Sequence, residues 1–449
     1  MKVIKFGGSS LASATQLKKV FQIVKEDSQR KVVVVSAPGK RSKADVKVTD
    51  LLIDCGTKAL LNEAYQPVLV KIIARYEEMA VDLNLDLAII DEIKRDLETL
   101  ALGDKSQPDY FLDAFKASGE NNNAKLIAAY FNHEGLEATY VNPMEAGLFV
   151  TDEPGNAQVL PESYERLYEL RKQAGVLIVP GFFGYTKEGK LITFSRGGSD
   201  ITGAILANGL QAELYENFTD VDAIYAANPN VVDKPQEIET LTYKEMRELS
   251  YAGFSVFHDE ALYPAFKAGV PVQIKNTNNP HAVGTRIATT REKSPGAVVG
   301  IASSPGFSSI YIEKYLMNRE IGFGRKMLEI LEDAGLSYEH TPSGIDDLTV
   351  ILRSNQLTKS QENNLLKRLK ADLKADKVVI QHNLALMMVV GEEMRCNVGT
   401  MAKASEALAE HGINIEMINQ GSSEVSMMFG VQEADEDKAL KALYQAFFN

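Results

Sequence analysis

Apolar residues in the first 290 positions switch repeatedly between two periods. Val3 to Phe6 is a short apolar run interrupted only by Lys5, and Lys31 to Ser36 is an almost unbroken β-branched run. Such runs mark strands buried on both faces. Between them Leu17, Val20, Phe21 and Val24 recur at helical spacing, which predicts a helix over 14–27. Helical patterning fills much of 49–131. Strand-like runs return at 137–141, 176–180, 192–194, 213–218 and 270–275, and 182–190 reads as a hairpin turning at Lys187-Glu188-Gly189. This alternation predicts an α/β fold with a mostly parallel sheet flanked by helices. Ligands of such sheets sit beyond the strand C-terminal ends, where Lys5, Ser36, Gly181, Arg196 and Asp220 all fall.

After about residue 300 the pattern changes. Strands at 307–313, 336–341, 346–353 and 377–382, with helices at 323–335 and 358–375, spell β-α-β-β-α-β. The tail repeats the order with strands at 384–390, 413–419 and 424–431 and helices at 397–411 and 435–447, lacking only the last strand. This is an internal repeat of about 70 residues, two ferredoxin-like units in succession. A spare strand at 298–302 is expected to complete the second unit, so that one small domain is inserted into the other. The expected division is 1–296, 297–383 and 384–449.

Composition narrows the function. A chain of 449 residues is long enough for two or three cores. Its net charge of -13 argues against nucleic acid or an anionic membrane as the main partner. No apolar run reaches the ~20 residues of a membrane span, and the N-terminus is a charged strand, so a cytoplasmic protein is expected. Cys55 and Cys396 read as free thiols, and the six histidines show no zinc spacing.

Two glycine corners carry the chemistry. Lys5-Phe6-Gly7-Gly8 and Arg196-Gly197-Gly198-Ser199-Asp200 each end a strand and open a helix, setting backbone N–H groups beside a cation. That is an anion-binding arrangement, and neither has P-loop spacing. The lysine suits phosphate, the arginine fork suits a carboxylate, and Asp200 suits Mg²⁺ or the orientation of phosphates. Within Ser118-Gly119-Glu120, Glu120 is either a first-turn acid or the receiver of a substrate ammonium. Thr49 is either a helix N-cap or a ligand contact. Thr219, Asp220 and Tyr225 end a strand as a capped turn or as the wall of a nucleotide pocket. No Ser/His/Asp or Cys/His constellation is evident. Phosphoryl transfer to a carboxylate needs none, because that nucleophile is already ionised near neutrality.

Four stretches in the right succession resemble the aspartokinases of the amino-acid-kinase superfamily: 5–10, 195–200, 219–222 and Asn276-Thr277-Asn278-Asn279-Pro280. The tail resembles that family's paired ACT domains, with 420–426 similar to an effector-binding stretch. The resemblance covers essentially the whole chain. It implies ATP- and Mg²⁺-dependent phosphorylation of the side-chain carboxylate of L-aspartate, at the head of lysine, threonine and methionine synthesis. By resemblance Lys5, Gly7 and Gly8 lie on the ATP phosphates, joined by Phe6 and Ser36, and Lys5 and Asp200 are catalytic. Arg196 and Glu120 hold the α-carboxylate and α-ammonium of aspartate, with Thr49, Gly197, Gly198 and Ser199 assisting, and Thr219, Asp220 and Tyr225 meet the nucleotide. Two cations common in the family are replaced by Asn230 and Ser255; Lys275, or a lysine within 38–43, is expected to compensate. The resemblance also implies a homodimer or tetramer through the ACT domains. Lysine, with threonine as the alternative, is expected as effector beside Met317, Glu320, Phe323, Gly324, Ser343 and Asp346. Competing readings are a kinase of glutamate, carbamate or UMP, against which the paired ACT tail and the Arg196/Glu120 pair argue, and a catalytically silent amino-acid sensor.

Overall fold

The structure is a computed structural model and describes every residue except Arg196, 255–260, 292–295 and Glu424. Two compact units divide the chain. The first comprises Met1–Ile224, Glu237–Arg247 and Ser255–Arg291, and the second Tyr225–Gln236, Glu248–Phe254 and Glu292–Asn449. The two short stretches that group with the second unit carry no boundary signal in the sequence.

In the first unit, Lys2–Phe6 (β1), Arg30–Val35 (β2), Ala138–Tyr140 (β3) and Val176–Pro180 (β4) form one half of a sheet. Phe183–Tyr185 (β5) and Leu191–Thr193 (β6) pair only with each other, as a hairpin with Gly189 at φ +87° in its turn. Leu214–Thr219 (β7) joins the sheet, whereas Ile224–Tyr225 (β8) and Glu237–Ile238 (β9) make a separate ribbon. Thr240–Thr242 (β10), Val272–Asn276 (β11) and Thr285–Ala288 (β12) complete the order β10-β12-β11-β7-β1-β2-β4-β3. Every pairing is parallel except β11 with β12.

Strand alternation decides what each face carries. Ile4, Phe6, Val33, Val35 and Phe218 turn to a core built by Ala14–Glu26 (α1), Val48–Leu60 (α2), Gln66–Asp82 (α3), Ala88–Ala101 (α4) and Pro108–His133 (α5). Leu17, Val20, Phe21 and Val24 of α1 are all in that core, as their spacing predicts. After Glu162–Tyr168 (α6), Gly198–Gly209 (α7) covers the opposite face of the central strands, the one that carries Lys5 and Asn217. Tyr243–Tyr251 (α8) and Tyr263–Ala268 (α9) follow.

The second unit is built on one antiparallel sheet. Gly300–Glu313 (β13), Asp347–Arg353 (β14), Lys377–Val390 (β15), Met417–Asn419 (β16) and Ser426–Gln432 (β17) take the order β14-β13-β15-β17-β16. Phe323–Asp333 (α10), Lys359–Asp372 (α11), Thr400–Glu410 (α12) and Glu436–Phe448 (α13) alternate with them. The sequence separates 298–302 from 307–313 and 377–382 from 384–390. In the structure each pair fuses into one 14-residue strand, with a register break where Ser304 and Phe307 flank the extra residues. Gly300 to Ser304 thereby pair with Val390 to Leu386, beside β17. The strand expected over 336–341 shrinks to a bridge between His340 and Ile351. Pro342 has no N–H with which to prolong that ladder.

Candidate active site

Lys5 stands at the C-terminal end of β1, nine-tenths buried, and its Nζ lies 2.6 Å from Asp200 Oδ1. Asp200 also accepts from Asn217 Nδ2 at 2.5 Å, and Asn217 in turn donates to the Tyr215 hydroxyl at 3.1 Å. Tyr215 donates to the Asp200 carbonyl at 3.2 Å. A lysine, a carboxylate and an amide are thus fixed on one face of the central strands. Asp200 sits in the first turn of α7, where a negative charge opposes the helix dipole. That helix is capped by Gly197 in the left-handed region at φ +77°, so neither Ser199 nor any other side chain serves as N-cap. Ser199 instead points its hydroxyl at Gly181, where an added Cβ would lie 2.7 Å from Oγ. Arg196, immediately before this cap, lies outside the described residues.

The phosphate corner is equally close-packed. A Cβ on Gly7 would be 3.6 Å from Lys5 Nζ, and one on Gly8 would be 3.0 Å from the Ala37 carbonyl. The segment 36–39 ties the corner to its neighbours. Ser36 N–H donates to the Phe6 carbonyl at 3.3 Å, Gly39 N–H to the Gly8 carbonyl at 2.8 Å, and Val48 N–H to the Pro38 carbonyl at 3.2 Å. Thr49 is therefore the second residue of α2, not its cap, and no hydrogen-bond partner for its hydroxyl is present among the described residues.

Glu120 lies inside α5 rather than at a helix start, which removes the first-turn alternative. It is almost completely buried, and its Oε2 has no partner among the described residues. Burial pushes this carboxyl up to about 8, against the lowering effect of the Ala37 backbone amide. Asn123, one turn on, donates to the Ser36 carbonyl at 2.7 Å while its Oδ1 is also unpaired. Buried polar atoms without partners are rare in folded proteins and mark a place built for a ligand or water. Phe182 adds a backbone at φ +77°, unusual for a bulky residue, with its N–H on the Thr202 hydroxyl at 3.0 Å.

Beyond the strand ends, Thr277 N–H meets the Thr219 carbonyl at 2.9 Å and Thr277 Oγ1 meets Ser10 Oγ at 2.7 Å. Asn276 and Asn279 both donate to Asp222 Oδ1, at 2.8 and 3.2 Å, and the exposed Asp220 accepts from the Thr219 hydroxyl at 3.2 Å. The stretch 276–280 is thus a brace for the turn at 219–222.

Residues 1–276 match the amino acid kinase family, and 387–447 match an ACT domain. Aspartokinase 3 of Bacillus subtilis is 65% identical over 448 residues, spanning 100% of this chain and 99% of that protein. The chain belongs to the aspartokinases. The crystal structure of the Clostridium acetobutylicum aspartate kinase, 38% identical, superposes with a TM-score of 0.87 over 100% of both chains. Escherichia coli aspartokinase III in complex with aspartate and ADP, 24% identical, shares the fold with a TM-score of 0.81 over 100% of both chains.

Within this aspartokinase not every expected site residue joins the group. Lys275 is paired with Phe218 and so faces the side of the sheet opposite to Lys5. It lies with Arg30 and Glu216, which form a two-pronged ion pair at 2.7 and 3.0 Å. Strand parity therefore removes Lys275 from the phosphate group. Tyr225 and Asn230 fall in the second unit; Asn230 is exposed, with its N–H on Asn228 Oδ1 at 3.0 Å. Ser255 is outside the described residues. Asn217, Asn123, Gly39 and Phe182 escaped the sequence reading. The recurrence of Tyr215, Asn217 and Thr219 at alternate positions of one strand was the available signal for Asn217.

In the second unit the carboxylate of Glu320 is clasped by Lys314 and by Lys326, the latter at 2.8 Å, which holds it down at about 2. Asp346 caps Leu316 N–H at 2.8 Å. Met317 and Phe323 turn their side chains into the core, Ser343 bridges to Leu348, and Gly324 faces open space.

Proposed function

We propose that the aspartate kinase reaction of this chain, transfer of the γ-phosphoryl of ATP to the side-chain carboxylate of L-aspartate, runs between its two glycine corners. The observation that carries the reading is the buried Lys5–Asp200–Asn217 cluster at the C-terminal ends of the central strands. In this reading Gly7 and Gly8 admit the phosphates against the backbone and Lys5 follows the charge that develops on the γ-phosphoryl oxygens. Phe6, Ser36, Thr219 and Asp220 form the nucleotide side. Arg196 takes the aspartate α-carboxylate, Glu120 its ammonium, and Thr49, Gly197, Gly198 and Ser199 complete the cradle. One carboxylate oxygen attacks phosphorus as the bond to ADP breaks, and no base is required because that oxygen carries no proton.

No group of three His, Cys, Asp or Glu side chains that would cage a metal is found among the described residues. The single carboxylate of Asp200 instead fits Mg²⁺, which is commonly held by one or two carboxylates together with substrate phosphates. That ion supplies neutralisation of phosphate charge when bound. Asp200 would hold it, while Lys5 and Asn217 fix the orientation of Asp200.

The division 1–296, 297–383 and 384–449 is supported by the pairing of 300–304 with 386–390 of β15, the stretch that also pairs with β17 on its other edge. We further propose a cytoplasmic enzyme that pairs through its ACT domains and answers to an amino-acid effector. No helix among the described residues is long and apolar enough to cross a membrane. Lysine is favoured; a structure of Escherichia coli aspartokinase III holds lysine and aspartate. Because Glu320 is already clasped by two lysines, Asp346 is the better receiver of an effector ammonium, with Met317 and Phe323 offering backbone only.

Trapping the product as its hydroxamate tests the assignment. Lys5→Ala is expected to lower turnover by about 2–4 kcal/mol of transition-state stabilisation, roughly 30- to 900-fold. Undiminished turnover would remove Lys5 from the mechanism.

A further inference from the structure

Arg75 is the least explained charge in the first unit. It sits on the buried stripe of α3 with Val68, Ile72, Tyr76 and Met79, where helical spacing calls for an apolar residue, and is only 5% exposed. A buried guanidinium is costly unless its donors find partners, and both Nη groups of Arg75 do while Nε has none among the described residues. Here Nη2 donates to the Gly39 carbonyl at 2.9 Å and the Ala12 carbonyl at 3.4 Å. Nη1 donates to Asp45 Oδ2 at 3.0 Å and the Val46 carbonyl at 3.1 Å. Every one of these partners adjoins the site. Gly39 is bonded to Gly8 and packs so tightly on it that a Cβ would lie 2.5 Å from the Gly8 carbonyl carbon. Ala12 ends the turn that begins at Gly8. Asp45 and Val46 lead directly into Val48 and Thr49 at the start of α2.

We infer that Arg75 is a positioning residue that fixes the phosphate corner at Gly8 and the aspartate-side Thr49 to one another through the loop 39–47. The next residue of α3 works in the same sense: the Tyr76 hydroxyl donates to the Gly119 carbonyl at 2.9 Å, immediately before Glu120. One turn of α3 thus anchors the ATP side, the helix of Thr49 and the peptide preceding Glu120. None of these anchoring atoms needs to touch substrate. The other ties of the loop are the Gly39 N–H on the Gly8 carbonyl and the exposed ion pairs of Arg41 with Asp45 and Glu78, so Arg75 is its one buried side-chain anchor among the described residues.

The inference rests on the assignment of Gly8 to ATP and Thr49 to aspartate, and its test separates the two. Arg75→Ala is expected to raise the KM for both ATP and aspartate by roughly 10- to 100-fold, the scale of a misplacement of about an ångström. Millimolar guanidinium added to this variant is expected to restore most of the loss, and ammonium to restore none. Amide exchange at Gly39 and Val48 is expected to accelerate while that of Val32 to Val35 does not change. Gly39→Ala, which removes no buried charge, is expected to raise the KM for ATP as well, by pushing on Gly8. Absent guanidinium rescue together with unchanged exchange at Gly39 would overturn the inference, as would an unchanged ATP KM in Gly39→Ala. Failure of the underlying assignment is read elsewhere: Thr49→Val with an unchanged aspartate KM would sink that assignment while leaving the exchange result intact.

Discussion

Replacing Glu120 by Gln is expected to make the enzyme more stable and less able to use aspartate. The carboxyl titrates near 8 in the folded chain and near 4.5 when free, because burial disfavours its charge. The folded state therefore binds the extra proton, and stability falls as pH rises from about 4.5 to about 8. The full cost is present above 8 and absent below 4.5. At 1.36 kcal/mol per pH unit the cost reaches about 5 kcal/mol, and about 3 kcal/mol at pH 7. A neutral amide has no such penalty, although its N–H groups need acceptors of their own. Thermal unfolding followed from pH 5 to pH 8 is the assay. The variant's Tm is expected to gain several degrees over the parent at pH 8 and little at pH 5. The same carboxylate, once ionised, is the proposed partner of the aspartate ammonium. Loss of that charge-assisted contact, about 1.5–3 kcal/mol, should raise the aspartate KM by roughly 10- to 100-fold. In the parent the aspartate KM should fall as pH rises from 6 to 8. Calorimetry in buffers of different ionisation enthalpy should show release of about one proton on aspartate binding at pH 7, lost in the variant. Equal pH slopes of Tm in the two proteins, with an unchanged aspartate KM, would refute the reasoning.

Two further outcomes follow from the same geometry. Asn217→Leu removes the 2.5 Å donor to Asp200 and is expected to lower kcat by about tenfold, on the scale of a lost hydrogen bond to a charged group, with aspartate KM little changed; steady-state kinetics checks it. Gly203→Ala places a Cβ 2.3 Å from the Tyr215 hydroxyl, which supports Asp200. Overpacking of this kind costs about 1–3 kcal/mol, seen as a lower urea midpoint, and a midpoint equal to the parent's would show that α7 and β7 separate freely.

The parallel sheet was legible because its strands are continuous apolar runs, and α1 because its four core positions keep strict helical spacing. The fusion of strands in the second unit was not legible. Pro305-Gly306 and His382-Asn383 are turn-like in sequence, yet the long antiparallel pairing of β13 with β15 carries both through the register break. The two corners of the candidate site, with Lys5, Gly7 and Gly8 at one and Ser199 and Asp200 at the other, were legible as glycine corners from local sequence because corner and cation are adjacent in it. Lys275 was misread because its chemistry suited phosphate while its strand parity did not. Arg75 was invisible for the converse reason, a charge on an apolar helix face whose partners lie about thirty or more residues away. The roles proposed for Arg196 and Glu120 rest on the aspartokinase resemblance, since spacing alone left them open.

The central claim is that the side-chain carboxylate of aspartate attacks the γ-phosphorus directly, under the charge of Lys5 and without a general base. Aspartate labelled with ¹⁸O in that carboxylate, turned over with ATP and quenched with hydroxylamine, tests it most directly. Attack by hydroxylamine at carbon releases phosphate with the bridging oxygen, so the account predicts ¹⁸O-shifted inorganic phosphate in the ³¹P spectrum, in step with hydroxamate. Phosphate released without label would mean that water, not aspartate, receives the phosphoryl group, and would contradict it.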